Sequence, residues 1–184
     1  MTTSVSTASV APSLRKLYFV RFGFALVWGA AVFAVGSSLS PLTAVLLVLY
    51  PLFDAAAAFI DLRASRAAGS SVVLLSVNIA LSVLAAVGLA IAATSGVPAA
   101  FGVWGAWALT AGLVQLIVGI RRRALGGQWV MIISGGLSVL VGGAFIAMAG
   151  GSSASVSSLG GYAILGGIFF LISALRLRRA AKGI

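Results

Sequence analysis

Asp54 and Asp61 are the only acidic side chains in a chain that also lacks His and Cys. That inventory limits the chemistry at once. Nucleophilic or metal-assisted catalysis needs an activating base, a thiolate or a cluster of ligands. The many serines here have no imidazole, thiol or glutamate beside them, and both carboxylates fall on one apolar run. No Gly-rich phosphate loop follows a strand, and the glycines recur at packing intervals instead. The residues therefore argue against an enzyme, against a metal site and against a cofactor. What they can supply is charge pairing in an apolar setting, and the pair that stands out is Arg21 with Asp54.

Those residues sit in six long apolar runs, 17–36, 41–62, 72–94, 98–120, 129–149 and 159–175. Each is near the ~20 residues that cross ~30 Å of hydrocarbon as a helix. The cations mark the ends. Arg15, Lys16 and Arg21 open the first run, Arg63 and Arg66 follow the second, and Arg121, Arg122 and Arg123 follow the fourth. Arg176, Arg178, Arg179 and Lys182 follow the sixth, while 37–40, 95–96 and 150–158 carry no Lys or Arg. The positive-inside rule then puts both termini and the two basic connections on the cytoplasmic side.

A composition of 61% hydrophobic and 8% charged residues leaves too little polar surface for a water-soluble fold. The net charge of +10 is explained by topology and by anionic lipid headgroups. Nucleic acid is excluded as a partner because no polar folded face presents the charge. The bilayer and its anionic headgroups are the expected partners, with a homo-oligomer or another membrane protein left open. Residues 1–14 read as a polar, disordered cytoplasmic lead. A cleaved signal peptide is the rival reading, disfavoured because the apolar core is long and the first helix matches later ones. Residues 15–179 form the membrane domain and 180–184 a basic cytoplasmic tail.

Asp61 falls at the cytoplasmic end of the second run, near Arg63, where it is expected to be solvated or paired. Asp54 lies about 12 Å deeper at ~1.5 Å per helical residue. A carboxylate at that depth needs a partner or a proton. Arg21, about one turn inside the first run, can reach it or snorkel back to the interface. Pro51 removes a helix N–H one turn away and is expected to kink the helix near mid-membrane. Asn78, Gln115 and Ser134 lie at similar depths, so with Arg21 and Asp54 they make a candidate polar layer in the inner half. The competing reading, and the one the residues favour, is a structural ion pair plus ordinary interhelical hydrogen bonds. Trp104, Trp107 and Tyr162 read as an outer aromatic belt, with Tyr18 and Trp129 at the inner interface.

The chain also repeats, with a period of about 55 to 57 residues. Arg21, Ala25 and Gly29 align with Asn78, Ser82 and Ala86, and those with Ser134, Ser138 and Gly142. In the even helices Gly105, Gly112 and Gly119 align with Gly160, Gly167 and Ala174, and Tyr50, Trp107 and Tyr162 align as well. Such small-residue stripes let helix backbones approach in lipid, so Ala25, Gly29, Ser82, Ala86, Gly105, Gly112, Ser138, Gly142, Gly160 and Gly167 are assigned to packing. The expected fold is an all-α integral membrane protein of six transmembrane helices. It is read as three helical hairpins, 15–66, 72–123 and 129–179, arranged as a pseudo-threefold bundle about an axis along the membrane normal.

The segments YPLFDAAAAFIDLR at 50–63, GAWALTAGLVQLIVGIRRR at 105–123 and GYAILGGIFFLISALRLRR at 161–179, with SGGLSVLVGGAFI at 134–146, carry a resemblance. Together they resemble the short membrane repeat of the HdeD-like acid-resistance family, over nearly the whole chain after Leu14. The resemblance implies a small bacterial inner-membrane protein linked to acid stress, of undefined biochemical activity and with no catalytic motif. The expected function is accordingly a non-enzymatic stress-protective or scaffold role. The alternative is a small channel or transporter using the polar layer around Arg21 and Asp54. With no His, a direct proton sensor would have to be Asp54 or Asp61, and protonation of Asp54 would loosen its bond to Arg21.

Overall fold

A computed structural model describes residues 4–70, 72–151 and 155–181. Residues 1–3 and 182–184 of the two terminal segments, and 152–154 of the last uncharged connection, lie outside the described residues. Six α-helices follow one another: α1 (Ser4–Val35), α2 (Pro41–Ala67), α3 (Val73–Ala92), α4 (Val97–Arg121), α5 (Trp129–Met148) and α6 (Val156–Ala181). A 3-10 turn, Arg123–Leu125, joins α4 to α5, and no strand occurs among the described residues. Each helix holds a span long and apolar enough to cross a membrane, with mean hydropathy from 1.7 in α4 to 2.3 in α3. The chain is a polytopic membrane protein by these criteria. Helix α1 begins at Ser4, inside the segment read as a disordered lead, and Leu14 at the end of that segment is buried against Met131 and Leu177.

Local chemistry sets the helix ends. Ser40 caps α2, its hydroxyl accepting from the Thr43 N–H at 3.2 Å, with Pro41 in the first turn where a missing N–H costs nothing. Gly126 and Gly127 hold φ of 75° and 67° between α4 and α5, a region that side chains rarely adopt. A Cβ on Gly127 would also stand 2.8 Å from that of Arg176, so this turn requires glycine for two reasons.

The helices form a ring in chain order, closed by α6 against α1. Packing is tightest for α4 with α5, α1 with α6 and α2 with α3. The partners within the expected hairpins touch less, α5 and α6 least of all. Glycine stripes lie in the two tightest of these contacts, α4 with α5 and α1 with α6. A Cβ on Gly142 would lie 2.7 Å from the Gly105 carbonyl oxygen and 2.5 Å from the Leu109 nitrogen. One on Gly112 would lie 2.6 Å from the Ser138 Cβ, and one on Gly135 2.6 Å from the Leu116 nitrogen. Across α1 and α6, Gly29 faces Gly160 and Ile164, and Gly167 faces Ala25. Backbones thus meet where lipid removes the usual hydrophobic drive for association. Large aliphatic side chains such as Val27, Leu84, Ile91 and Leu140 cover the outside of the ring.

Toward the end away from the basic clusters, the interior is filled by Trp28, Val32, Leu47, Phe101, Trp104, Phe145 and Leu159. The aromatic rings interlock, Trp28 stacking on Trp104 at 5.3 Å and Phe101 meeting Phe145 edge-on at 5.4 Å. This arrangement corrects the belt expected from sequence. Trp104 and Trp107 are buried, Tyr162 is half-buried and turned inward, and Tyr18 is buried too. Lipid-facing anchors would leave a clean apolar seam inside, but here the rings fill the space that six helices enclose. Trp129 alone of the five is exposed, with the Arg176 guanidinium 4.6 Å from its ring.

Candidate functional site

Toward the basic end the ring encloses a cavity of about 120 Å³, lined by side chains from all six helices. Asp54 stands on its wall. Pro51 lies buried one turn before it, and the Trp28 Nε1–H donates to the Leu46 carbonyl at 2.7 Å. That bond sits one residue before the carbonyl that Pro51 leaves without its helical donor. The carboxylate is held from three sides. Arg21 Nη1 donates to Oδ1 at 2.6 Å, while Asn78 Nδ2 and the Ser82 hydroxyl donate to Oδ2 at 2.7 and 2.8 Å. Trp107 Nε1–H in turn donates to the Ser82 oxygen at 3.0 Å. One network therefore ties α1, α2, α3 and α4, and the Arg21 guanidinium reaches α6 through the Phe170 ring at 5.1 Å. Charge-assisted bonds of this length are the strong ones, and both side chains of the ion pair are only 14% exposed.

A second ion pair stands nearer the basic end. Arg122 forks onto Asp61, Nη1 to Oδ2 at 2.7 Å and Nη2 to Oδ1 at 2.9 Å. Ser65 closes the triangle, accepting from Arg122 Nη2 at 2.8 Å and donating to Asp61 Oδ1 at 3.0 Å. Burial works to lower the Arg122 pKa, but the hydrogen bonds and negative charge of Asp61 outweigh it and leave it raised. A cation held above its ordinary value contributes stability that is complete below that value and is lost only as pH rises through the folded one. Arg122 therefore stays charged at any physiological pH. Beside this pair the Tyr18 hydroxyl donates to Gln128 Oε1 at 3.3 Å.

Of the five residues read as a polar layer, Arg21, Asp54 and Asn78 are joined by direct bonds. Gln115 and Ser134 line the same cavity, and Gln115 Nε2 donates to the Met131 carbonyl at 3.2 Å rather than to Asp54. Ser82, assigned to packing, is instead a ligand of the carboxylate, and Ser138 both packs against Gly112 and accepts from the Tyr162 hydroxyl at 3.1 Å. Ala86 is buried in α3 as its stripe requires. The sequence reading missed the Asp61–Arg122–Ser65 cluster and the pairing of Tyr18 with Gln128. Asp61 lying near basic residues was the only signal, and it suggested Arg63 on the same helix rather than Arg122 at the end of α4.

Comparison with protein-family profiles, with curated proteins and with solved structures finds no match to this chain. The functional reading accordingly rests on the cavity itself. Chemically, the arrangement can hold a small molecule among uncharged amides, hydroxyls and aromatic rings. It can also fix the relative positions of the helices through two partly buried ion pairs.

Proposed function

We propose that this is a non-enzymatic multi-pass protein of the bacterial plasma membrane that takes a small solute into its interior from the cytoplasmic side, as a small transporter does. The observation that carries this reading is the polar cavity lined by all six helices, open polar chemistry at one end and interlocked aromatic rings at the other. A bundle built for packing alone would fill that space, because a void loses contacts on every wall. Both termini and the Arg-rich connections are taken as cytoplasmic from the charge distribution.

In this reading the bundle is three hairpin repeats about an axis along the membrane normal. Two observations support it. Tyr50, Trp107 and Tyr162, aligned by the repeat, all line the one cavity, as do Arg21, Asn78 and Ser134. The stripes Gly29 with Gly160 and Gly105 with Gly142 make equivalent backbone contacts between successive hairpins.

The test is solute flux in proteoliposomes, followed by stopped-flow light scattering over a panel of small neutral and charged solutes. The expected result is a protein-dependent rate for at least one solute, lowered by Trp107→Ala. Rates equal to those of protein-free liposomes throughout would overturn the proposal.

A second reading has an observation of its own. Both acids are already paired with arginines, and glycine contacts lock neighbouring backbones, as a rigid scaffold would require. The HdeD-like resemblance would make that scaffold protective in acid. Survival of a deletion strain after a brief acid challenge, carrying empty vector or the native gene, decides it: rescue supports protection, and equal survival rules it out.

A further inference from the structure

In a ring joined in chain order, a bond between helices that are not neighbours has to cross the inside. Two such bonds stand at the basic end. The Asp61 carboxylate and the Ser65 hydroxyl of α2 hold Arg122, which follows the last residue of α4, and so pass in front of α3. Tyr18 of α1 is bonded at 3.3 Å to Gln128, just before α5, and so passes in front of α6. Tyr18, Asp61, Arg122 and Gln128 all line the cavity. Tyr18 also interacts with the charges of Arg122 and Asp61, so the two cross-links lie side by side.

Together they close that end. Ser65 and Gln128 are each 1% exposed, and the side chains of Arg122 and Asp61 are 15% and 10% exposed. Behind Tyr18, the space between α1, α5 and α6 is filled by Leu14, Met131 and Leu177. A polar solute bound for the cavity from this side therefore meets the fork of Arg122 on Asp61 and not an open mouth.

The two ion pairs are not equivalent. Asp61 lies seven residues beyond Asp54, about 10 Å nearer the basic end at ~1.5 Å per residue. Its partner Arg122 lies between Arg121 and Arg123, which are both exposed. At that level both charges of a parted fork find water, which removes most of the desolvation cost, whereas parting Arg21 from Asp54 strands two charges inside the span. The deeper pair holds helices together, and the end pair is the one that can open and reclose.

We infer that the Asp61–Arg122–Ser65 cluster is the cytoplasmic gate of the cavity, closed in this structure, and that a solute enters when the fork parts. This rests on the reading of the protein as one that takes up a solute from that side.

Accessibility tests the gate with no need to know the solute. Ser134→Cys, on the cavity wall, is introduced into the cysteine-free chain, and its alkylation by a membrane-impermeant maleimide is timed in inside-out vesicles. Asp61→Asn unpairs the fork and is expected to raise that rate at least about tenfold, because the rate follows the open fraction. Reversing the pair, Asp61→Arg with Arg122→Asp, is expected to return it to within about threefold of the native value, which a loss of packing would not do. Ala163→Cys, buried in the aromatic half, reports on the integrity of the bundle and should stay unlabelled throughout. If Asp61→Asn exposes Ala163→Cys, Ser65→Ala takes its place, with both charges kept and an expected rise of about threefold. An unchanged Ser134→Cys rate in the variant that keeps Ala163→Cys closed overturns the inference, as does a rate that stays high in an intact reversed pair. Labelling of Ala163→Cys in Ser65→Ala also overturns it, since the cluster is then a strut of the fold. The uptake reading fails separately: absence of flux for every solute strikes it, while Ser134→Cys still reports on the gate.

Discussion

The two ends of this bundle solve the same problem by opposite means. Both must line the space that a ring of six helices encloses and satisfy the polar groups that face it, since lipid offers those groups no partner. Away from the basic clusters, rings and aliphatic side chains fill it, with Trp28 stacked on Trp104 and Phe101 edge-on to Phe145. Toward the basic clusters, two ion pairs and their hydroxyl and amide partners surround a cavity instead. The difference teaches where function can reside. The aromatic layer packs ring against ring, whereas the polar layer leaves room beside its ion pairs.

The largest expected effect comes from unmatching a charge at the polar end. Asp54→Leu leaves Arg21 without its counter-ion and should cost about 3–5 kcal/mol of unfolding free energy in mixed micelles. The double variant Arg21→Met with Asp54→Leu should regain most of that loss. If the single variant loses under about 1 kcal/mol, the polar end is as wet as a surface and the comparison fails.

At the sealed end the sensitive positions are backbone contacts. Gly142→Val would drive its side chain into the Gly105 carbonyl and the Leu109 nitrogen and should cost about 1–3 kcal/mol, or prevent assembly. Its neighbour Gly143, with open space around it, should accept Val within about 0.5 kcal/mol. Thermal unfolding of the two variants side by side sharpens the claim, since equal losses would mean that helix propensity and not the contact is being measured.

Two smaller effects complete the series. Trp28→Phe keeps an aromatic ring but removes the bond to the Leu46 carbonyl beside Pro51 and part of the buried ring volume against Trp104, for an expected loss of about 1–2 kcal/mol. Gln115→Leu removes one interhelical bond to Met131 at the polar end, and about 0.6 kcal/mol is the expected change. Should Gln115→Leu prove the costlier of the two, the polar end would depend on Gln115 more than its single bond implies.

Much of this architecture was legible beforehand. Span lengths follow from apolar runs, and the depth of Asp54 showed that it needs a partner or a proton, but whether Arg21 reaches it or turns back to the interface was decided only by the packing of α1 against α2. Several glycines of the stripes, Gly29, Gly105, Gly112, Gly142 and Gly160 among them, lie at close approaches between helices. Which helices they join was not legible, because a stripe says that a face is flat and not which neighbour meets it. The aromatic belt failed for a related reason. Trp104 and Trp107 fit an interface by position along their helix, but rotation about the helix axis decided that they point inward. Asp61 with Arg122 was invisible since the two lie far apart in sequence, and Ser82 looked like a packing residue because serine serves both purposes.

The central claim, a water-accessible polar end against a sealed aromatic end, can be tested directly because the chain has no cysteine of its own. Single variants Ser134→Cys, on the cavity wall, and Ala163→Cys, buried in the aromatic half, would be treated with a membrane-impermeant thiol reagent in inside-out and right-side-out vesicles. The account predicts that Ser134→Cys reacts from the cytoplasmic side only and that Ala163→Cys reacts from neither. Reaction of Ser134→Cys from the outer side, or protection of Ser134→Cys while Ala163→Cys is labelled, would contradict it.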